Sequence, residues 1–286
     1  MSPRLRTTLQ LTPLALVLLL FMIVPLILVV VVSFFRTDGF ETVADFSFEN
    51  YRSVLTAGLT WSLYLKMAKF ASLTWLFSFV IGYLVAYFLV FHVRDRLVAI
   101  GLFLVCTVPF WTSNVIRMIS WLPVLGNHGV VNEMLMRLGL IRQPLQFLLF
   151  SDFAVVLSYV HLFTIFMIVP IFNAMSRIDR KLFEAAADAG ASRWQTMVGV
   201  VLPLCRSGVA LGSIFVVTLV MGDFYVVKVM SGGGSASVVS AMYDDVSTLL
   251  FPHAAASAVL LLIVLTVLIA IASRFIDVRK ELLATR

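Results

Sequence analysis

The segment Ile178–Pro203, IDRKLFEAAADAGASRWQTMVGVVLP, is a charged stretch between two long apolar runs. It predicts a first short helix, because small or apolar residues recur there with the spacing of one helical face: Leu182, Ala185, Ala186 and Ala189. Gly190 is the kind of residue that ends a helix in the left-handed conformation. Ser192 with Gln195 three residues later has the form of a capping box, which predicts a second short helix. We therefore expect a two-helix element whose small side chains let another protein approach closely.

The composition around this segment indicates an integral membrane protein. The chain has 286 residues, of which 61% are hydrophobic and only 13% are charged, and its mean hydropathy is +1.04. A soluble domain of this length needs a more charged surface. We predict an all-α membrane protein that forms a single transmembrane domain over residues 1–286. Its six predicted spans cover residues 11–35, 70–91, 97–116, 153–176, 207–227 and 252–273, with the loop 177–203 between spans four and five.

The connections between the spans carry weaker patterns. Residues 36–60 are polar and predict a first loop, whereas Lys66 and Lys69 suggest an extra turn before the second span. An amphipathic helix near the membrane surface is predicted by one apolar face that ends at Gly139, formed by Val131, Met134, Leu135 and Leu138. Residues 231–247 are rich in Gly and Ser and predict another loop. Cys106 and Cys205 are isolated in or near apolar runs and indicate neither a disulfide nor a metal site.

The distribution of positive charge predicts the orientation. Six spans place both ends on one side, and most of the 21 lysine and arginine residues fall on the side that contains the ends and the loop 177–203. Short loops rich in Lys and Arg are cytoplasmic in membrane proteins. We therefore expect both ends and this loop in the cytoplasm. The net charge of +6 follows from this topology and requires no nucleic-acid partner.

The spacing within the loop resembles a known signature. Glu184-Ala185-Ala186, then Gly190, then Leu202-Pro203, is similar to the cytoplasmic "EAA" loop in permease subunits of binding-protein-dependent ABC importers. Val200 stands where that family usually has Ile. The resemblance implies a type I ABC importer permease fold in the bacterial inner membrane. It also implies that the ATPase-coupling residues are Glu184, Ala185, Ala186, Asp188, Gly190, Ala191, Ser192, Leu202 and Pro203.

The same resemblance implies a set of partners. The chain would pair with a second permease subunit, two copies of a cytoplasmic ATPase subunit and a periplasmic substrate-binding protein, within the lipid bilayer. No G-x-x-x-x-G-K-[ST] motif is present in the sequence, so the resemblance places ATP and Mg on the partner ATPase and no cofactor on this chain. No H-E-x-x-H or G-x-S-x-G motif is present either, and we predict a transport subunit rather than an enzyme.

Ionisable and aromatic residues near the outer ends of the spans are the candidates for the solute pathway. Asp223 lies in the fifth predicted span with Tyr225 two residues on, and Trp111 and Trp121 flank the outer end of the third. Charges at membrane depth are costly and often face a cavity, whereas tryptophans there are more often interfacial. His161, inside the fourth span, is most simply a partner in a hydrogen bond between helices.

The solute class is narrowed by a second, weaker resemblance. PFWTSNVIRMISWLPVLG (Pro109–Gly126) and GDFYVVKVMSGG (Gly222–Gly233) are similar to the first permease subunit of spermidine/putrescine importers. This predicts a polyamine as the solute. An opine, an aminophosphonate or another amino-containing solute is the alternative, because the outer half also carries Lys66, Lys69, Arg117 and Lys228. A passive channel or a secondary transporter is the competing class outside the ABC importers.

Overall fold

The computed structural model describes residues 3–39, 41–179 and 181–274, and these are predominantly helical. They fall into two compact units, residues 1–64 with 238–264 and residues 65–237 with 265–286. Within the described ranges, four helices are long and apolar enough to cross a membrane: Gln10–Val32, Gly58–His92, Asp152–Met175 and Phe251–Ser273. Two bent pairs also qualify, Leu97–Trp111 with Asn114–Arg137 and Arg193–Leu204 with Arg206–Met221. Counting each bent pair as one span gives the six that the sequence predicts.

In the first unit, the predicted polar loop 36–60 is instead ordered structure. An antiparallel hairpin pairs Arg36–Asp38 with Glu41–Val43, and a helix spans Glu49–Thr56. The Asn50 side-chain amide donates to the carbonyls of Ser33 and Phe35 at 3.0 and 2.8 Å. These carbonyls lie at the end of the first span, where a helix leaves its last acceptors without partners in the helix. The loop therefore folds because it caps the first span.

The second span is longer than the predicted 70–91. Its α-helix spans Gly58–Tyr87, and a π-helical turn, Phe88–His92, completes it. The added turns contain Lys69, whose ammonium lies 2.8 Å from the carboxylate of Asp152 at the start of the fourth span. The Ser235 hydroxyl donates to the other oxygen of Asp152 at 2.8 Å. Because the lysine is paired in this way, its charge does not end the helix.

The third span differs most from the prediction of a continuous helix over 97–116. The α-helix Arg96–Thr107 passes into a 3-10 turn, Val108–Trp111, and the chain then turns by 91° into Asn114–Arg137. Pro109 lacks an N–H and favours such a break. The bent segment consists of the short helices Asn114–Ile119, Leu122–Leu125 and Val130–Arg137. The last of these confirms a helix at the predicted place, and Gly139 follows it with a φ of +67°. Met134 and Leu138, two residues of the predicted apolar face, are each 61% exposed.

The fourth and fifth spans form the most closely packed pair in the second unit. A Cβ placed on Gly208 would lie 2.5 Å from the Pro170 carbonyl oxygen, and one on Gly212 would lie 2.6 Å from the Met167 sulfur. Two glycines four residues apart let membrane helices approach closely. The sequence contains this G-x-x-x-G pattern at Gly208 and Gly212. Charge and hydropathy alone do not predict the close packing that it allows.

The later part of the chain also contains more helix than predicted. The fifth span, Arg206–Met221, stops before Asp223 rather than at residue 227, and a separate helix covers Tyr225–Met230. The predicted loop 231–247 contains the helix Val238–Ser247, and the sixth span runs from Phe251 to Ser273. Within the first unit, Asp245 on that helix lies 2.8 Å from the His253 ring nitrogen. Residues 275–286, which follow the sixth span, lie outside the described residues.

Candidate coupling segment and solute groove

The segment 177–203 contains the two short helices that its sequence predicts. The first is Lys181–Asp188, and the Asp179 carboxylate accepts the Lys181 N–H at its start at 3.0 Å. Gly190 follows the helix with a φ of +80°, and the Ala191 N–H donates to the Ala186 carbonyl at 2.9 Å. This left-handed glycine with a bond reaching back into the last turn is a Schellman end. The predicted helix and its predicted end at Gly190 are therefore both confirmed.

The second helix begins at the predicted capping box. Ser192 Oγ accepts the Gln195 N–H at 3.3 Å, and the Gln195 side-chain oxygen accepts the Ser192 N–H at 2.8 Å. The helix Arg193–Thr196 continues into a π-helical turn, Met197–Val201, and then into Leu202–Leu204. The reciprocal bonds satisfy backbone donors that a helix start would otherwise leave free. They give the exposed segment a defined shape.

The second span holds this segment at two points. The rings of Phe91 and Phe183 are 4.3 Å apart between centroids. The Tyr83 hydroxyl donates to the Met197 carbonyl at 2.6 Å in a buried hydrogen bond. One contact therefore reaches each of the two short helices. The segment is attached to a transmembrane helix rather than hanging free in a loop.

The opposite side of the segment is open. Leu182 keeps 42% of its surface exposed and Trp194 keeps 68%. Of the predicted coupling residues, Ala186, Ala191 and Leu202 are partly buried, while the exposed ones are Ala185, Asp188, Gly190, Ser192 and Pro203. The side chain of Glu184 lies outside the described residues. The exposed face of the segment therefore consists of small and apolar residues beside acidic and hydroxyl groups.

The four predicted pathway residues do not come together at one site. Asp223 Oδ1 accepts the Val226 N–H at 2.8 Å and the Tyr159 hydroxyl at 3.2 Å. The carboxylate thus caps the helix Tyr225–Met230, and Tyr225, beside it, is 38% exposed. Trp111 lies at the break in the third span and is 83% exposed.

Trp121 belongs to a different cluster. Its indole N–H donates to His161 Nδ1 at 3.0 Å, and the two rings meet edge to face with centroids 5.6 Å apart. The expected interhelical hydrogen bond of His161 is therefore present. Tyr159, the partner of Asp223, and His161 are two residues apart on one helix, so they point to opposite sides of it. The cluster around Trp121 and the cluster around Asp223 are accordingly separate.

Arg117 lies at a candidate solute site, although it was not among the residues predicted for the solute pathway. It follows the break in the third span, and only 7% of its surface is exposed. One terminal nitrogen donates to the side-chain oxygen of Asn114, while its Nε is buried without a hydrogen-bond partner among the described residues. The side chain lines a groove of about 290 Å³, which Cys106, Phe110, His161 and Thr164 also line. The signal in the sequence was a lone cation just past a proline-induced break.

A second, larger groove has different chemistry. Its volume is about 690 Å³, and its walls are mostly aliphatic residues of the fifth span and of the end of the sixth. The Trp75 indole N–H at this groove donates to the Ser213 hydroxyl at 2.7 Å. An almost wholly apolar surface does not compensate the dehydration of a polar solute. The groove that contains Arg117, which we call the Arg117 groove, is the better candidate for contact with a polar solute.

The described residues thus form a multi-pass helical membrane protein with an exposed helical segment attached to its second span. Residues 78–281 match the family described as the binding-protein-dependent transport system inner membrane component. The chain belongs to this family. It is therefore an ABC importer permease in the bacterial inner membrane, and such permease subunits are not themselves enzymes.

Two relatives and one solved structure agree with this assignment. The chain is 35% identical over 219 residues to the spermidine/putrescine transport system permease protein PotB of Haemophilus influenzae. The alignment covers 75% of this chain and 74% of the relative. It is 30% identical over 272 residues to PotB of Escherichia coli K12, covering 93% and 97%. Its fold matches a chain in the crystal structure of a bacterial alginate ABC transporter in complex with an alginate-pentasaccharide-bound periplasmic protein. That match has a TM-score of 0.72 and 18% identity, and it covers 93% of this chain and 91% of the other.

Proposed function

We propose that this chain is the membrane-spanning subunit of an ATP-driven importer in which the segment 177–203 docks onto a separate ATPase. The complex would contain a second permease subunit, two ATPase copies that bind ATP and Mg, and a periplasmic binding protein that delivers the solute. The observation that carries the proposal is the geometry of the segment. Phe183 and Met197 are held by the second span, while the small-residue face stays exposed.

The proposed mechanism follows from this attachment. ATP binding would close the two ATPase subunits and move the docked segment, and the contacts to Tyr83 and Phe91 would carry that movement into the second span. Nucleotide can shift the permease between inward-open and outward-open states only by the amount that it binds one state better. Hydrolysis would then return the permease to its first state. The permease itself needs no catalytic group in this scheme.

Reconstitution tests the proposal directly. Vesicles that contain both permeases and the ATPase, with binding protein outside and ATP inside, should accumulate labelled solute against its gradient. Vesicles without the ATPase, or with a hydrolysis-deficient ATPase, should not. Uphill uptake by the permease alone would contradict the proposal and would favour a secondary transporter. Downhill equilibration without ATP would favour a passive channel.

Two substitutions test the coupling residues. Glu184→Lys reverses a charge in the predicted docking helix, and Gly190→Leu forces a side chain into a φ of +80°, at a cost of about 1–3 kcal/mol for the local turn. Both variants should assemble and still hydrolyse ATP, but should transport much less solute per ATP. Gly101→Leu is the control, because a Cβ there meets no atom within 4 Å. Normal transport per ATP in both coupling variants would refute their role.

For the solute itself, we propose a small molecule that carries at least one amino group. Polyamines are the first candidate class, supported by the two relatives named as spermidine/putrescine permeases. Uptake of labelled putrescine and spermidine by the complete complex is the corresponding test.

A solute that combines an amino group with an acidic group, such as an opine or an aminophosphonate, is the second candidate. The buried cation of Arg117 in its groove favours this class. A polyamine carries only positive charge and is repelled by a guanidinium in a site of low dielectric.

A further inference from the structure

We propose that the Arg117 groove is a binding subsite for the acidic group of the transported solute, a carboxylate or a phosphonate. The inference rests on the proposed importer function and selects the second solute class within it. Three properties of the groove carry it: a buried cation without a carboxylate partner, a second donor on the imidazole ring of His161, and a volume suited to a small solute.

The first property is the state of the guanidinium. Only 7% of the Arg117 surface is exposed, yet the guanidinium donates to the neutral side-chain oxygen of Asn114. No carboxylate lies within ion-pair distance of it in the part of the chain that the structure describes. Buried charges in membrane proteins are normally paired or face a pathway, because an unpaired one is costly. The Arg117 Nε–H is also buried without a partner, so the described residues leave the guanidinium incompletely satisfied.

The second property is the direction of the hydrogen bonds around Arg117. An indole can only donate, so the bond from Trp121 to His161 Nδ1 requires that nitrogen to be the acceptor. In the neutral imidazole the proton then lies on Nε2, which makes the free side of the ring a donor. The Thr164 hydroxyl gives its hydrogen to the Val160 carbonyl at 2.6 Å and is therefore not a donor to a ligand. The charged and ring groups that line this groove thus offer protons, and their complement is an anionic acceptor.

The third property is the size and lining of the groove. A volume of about 290 Å³ is at the small end of ligand sites, which begin near 300 Å³. Its remaining walls are apolar and include Phe110 and Ile168. An acidic group bonded to Arg117 would leave a short hydrocarbon chain against these walls. Arginine is well suited to this role because its planar donors match the oxygens of carboxylates and phosphonates.

The test uses two probes that differ only at one end. Putrescine and 4-aminobutyrate each contain four carbons and share one ammonium end, but the second has a carboxylate in place of the other aminomethyl group. A third probe, 2-aminoethylphosphonate, adds the phosphonate case. Binding of each labelled probe is measured by equilibrium dialysis on the detergent-solubilised complex of both permeases and the ATPase. The variants are Arg117→Gln and Arg117→Lys. Arg137→Gln is the control, because the Arg137 side chain is 83% exposed and pairs with Glu133 on the surface.

We expect the wild-type complex to bind at least one of the acidic probes, and to bind putrescine more weakly. Arg117→Gln should weaken binding of the acidic probe by at least about tenfold, the usual effect of losing a charged hydrogen bond. Arg117→Lys should give an intermediate value, since it keeps the charge but not the fork of donors. It also serves as the test if the Gln variant does not assemble. Arg137→Gln should bind like the wild type.

The opposite results overturn the inference. They are an acidic probe bound equally by wild type and Arg117→Gln, a wild type that binds neither acidic probe, or a loss of binding that Arg137→Gln reproduces. ATP-dependent uptake of putrescine by a complex that binds neither acidic probe would overturn this subsite while leaving the proposed importer function intact. Absence of ATP-dependent uptake for every solute, with acidic probes still bound through Arg117, would instead count against the importer function alone.

Discussion

Replacing Tyr83 by phenylalanine tests whether the second span transmits force from the coupling segment. Tyr83 is 6% exposed, and its hydroxyl reaches the Met197 carbonyl at 2.6 Å. The substitution removes one oxygen and leaves the ring, so the contacts to the rings of Phe79 and Tyr87 persist. It therefore isolates one hydrogen bond between the span and the segment.

The size of the effect follows from what the Met197 carbonyl retains. Met197 begins a π-helical turn, and its carbonyl also accepts the Leu202 N–H. Removing the Tyr83 hydroxyl therefore does not leave a buried acceptor without any partner. The loss is the net value of one hydrogen bond, about 1 kcal/mol, rather than the larger penalty of an unsatisfied group. A change of about 1 kcal/mol shifts an equilibrium between attached and detached states about fivefold.

The assay is the ratio of solute transported to ATP hydrolysed in reconstituted vesicles. We expect this ratio to fall severalfold in Tyr83→Phe while ATP hydrolysis continues, because the segment detaches from the span more often. Tyr87→Phe is the matched control on the next turn of the same helix. Within the described part of the chain, the Tyr87 hydroxyl makes no hydrogen bond, and the substitution keeps the ring contacts of this residue. A wild-type ratio in Tyr83→Phe, or an equal fall in Tyr87→Phe, would refute the reasoning.

Two further predictions concern packing and capping, and thermal unfolding of the purified complex checks both. Gly208→Ala should destabilise by about 1–3 kcal/mol, the usual cost of overpacking, since its Cβ would lie 2.5 Å from the backbone oxygen of Pro170; Gly101→Ala, with open space around it, should not destabilise. An unchanged unfolding temperature for Gly208→Ala would show that the two spans separate easily. Asp223→Ala should cost about 1 kcal/mol as a lost helix cap, and about 1–3 kcal/mol more because the buried Tyr159 hydroxyl loses its acceptor. Asp223→Asn keeps an acceptor for the Val226 N–H and the Tyr159 hydroxyl, and so keeps most of the stability. Loss of uptake in the stable Asn variant would show that the charge serves the solute as well.

The parts of the fold that the sequence predicted are those specified by neighbouring residues. The helix Lys181–Asp188 ends because of Gly190. The next helix begins because of Ser192 and Gln195, which are three residues apart. Such signals act over one turn and need no knowledge of the rest of the chain. The apolar runs likewise identify the spans, because length and hydropathy suffice for a helix to cross the membrane.

The parts that were missed depend on partners distant in sequence. An extra turn with Lys66 and Lys69 was predicted before the second span, but the start of the helix at Gly58 and the pairing of Lys69 with Asp152, far along the chain, were not. The helix 225–230 begins where Asp223 caps it, and the same carboxylate bonds to Tyr159 in the fourth span. The break after Trp111 places Arg117 in a groove with residues of the fourth span, and the sequence does not show this proximity. Hydropathy windows average over such features and cannot locate them.

The second span connects the two candidate sites of the second unit. Near its middle, Ile81 lines the Arg117 groove, and the Ser78 hydroxyl bonds to that of Thr164 at 3.1 Å. Further along, Tyr83 and Phe91 hold the coupling segment. From residue 81 to residue 91 the chain is helical throughout, a length of about 15 Å at 1.5 Å per residue. A continuous helix transmits displacement along its axis, so a pull on the segment moves a wall of the groove. In the proposed mechanism, this helix is therefore a direct route from the docked segment to the groove.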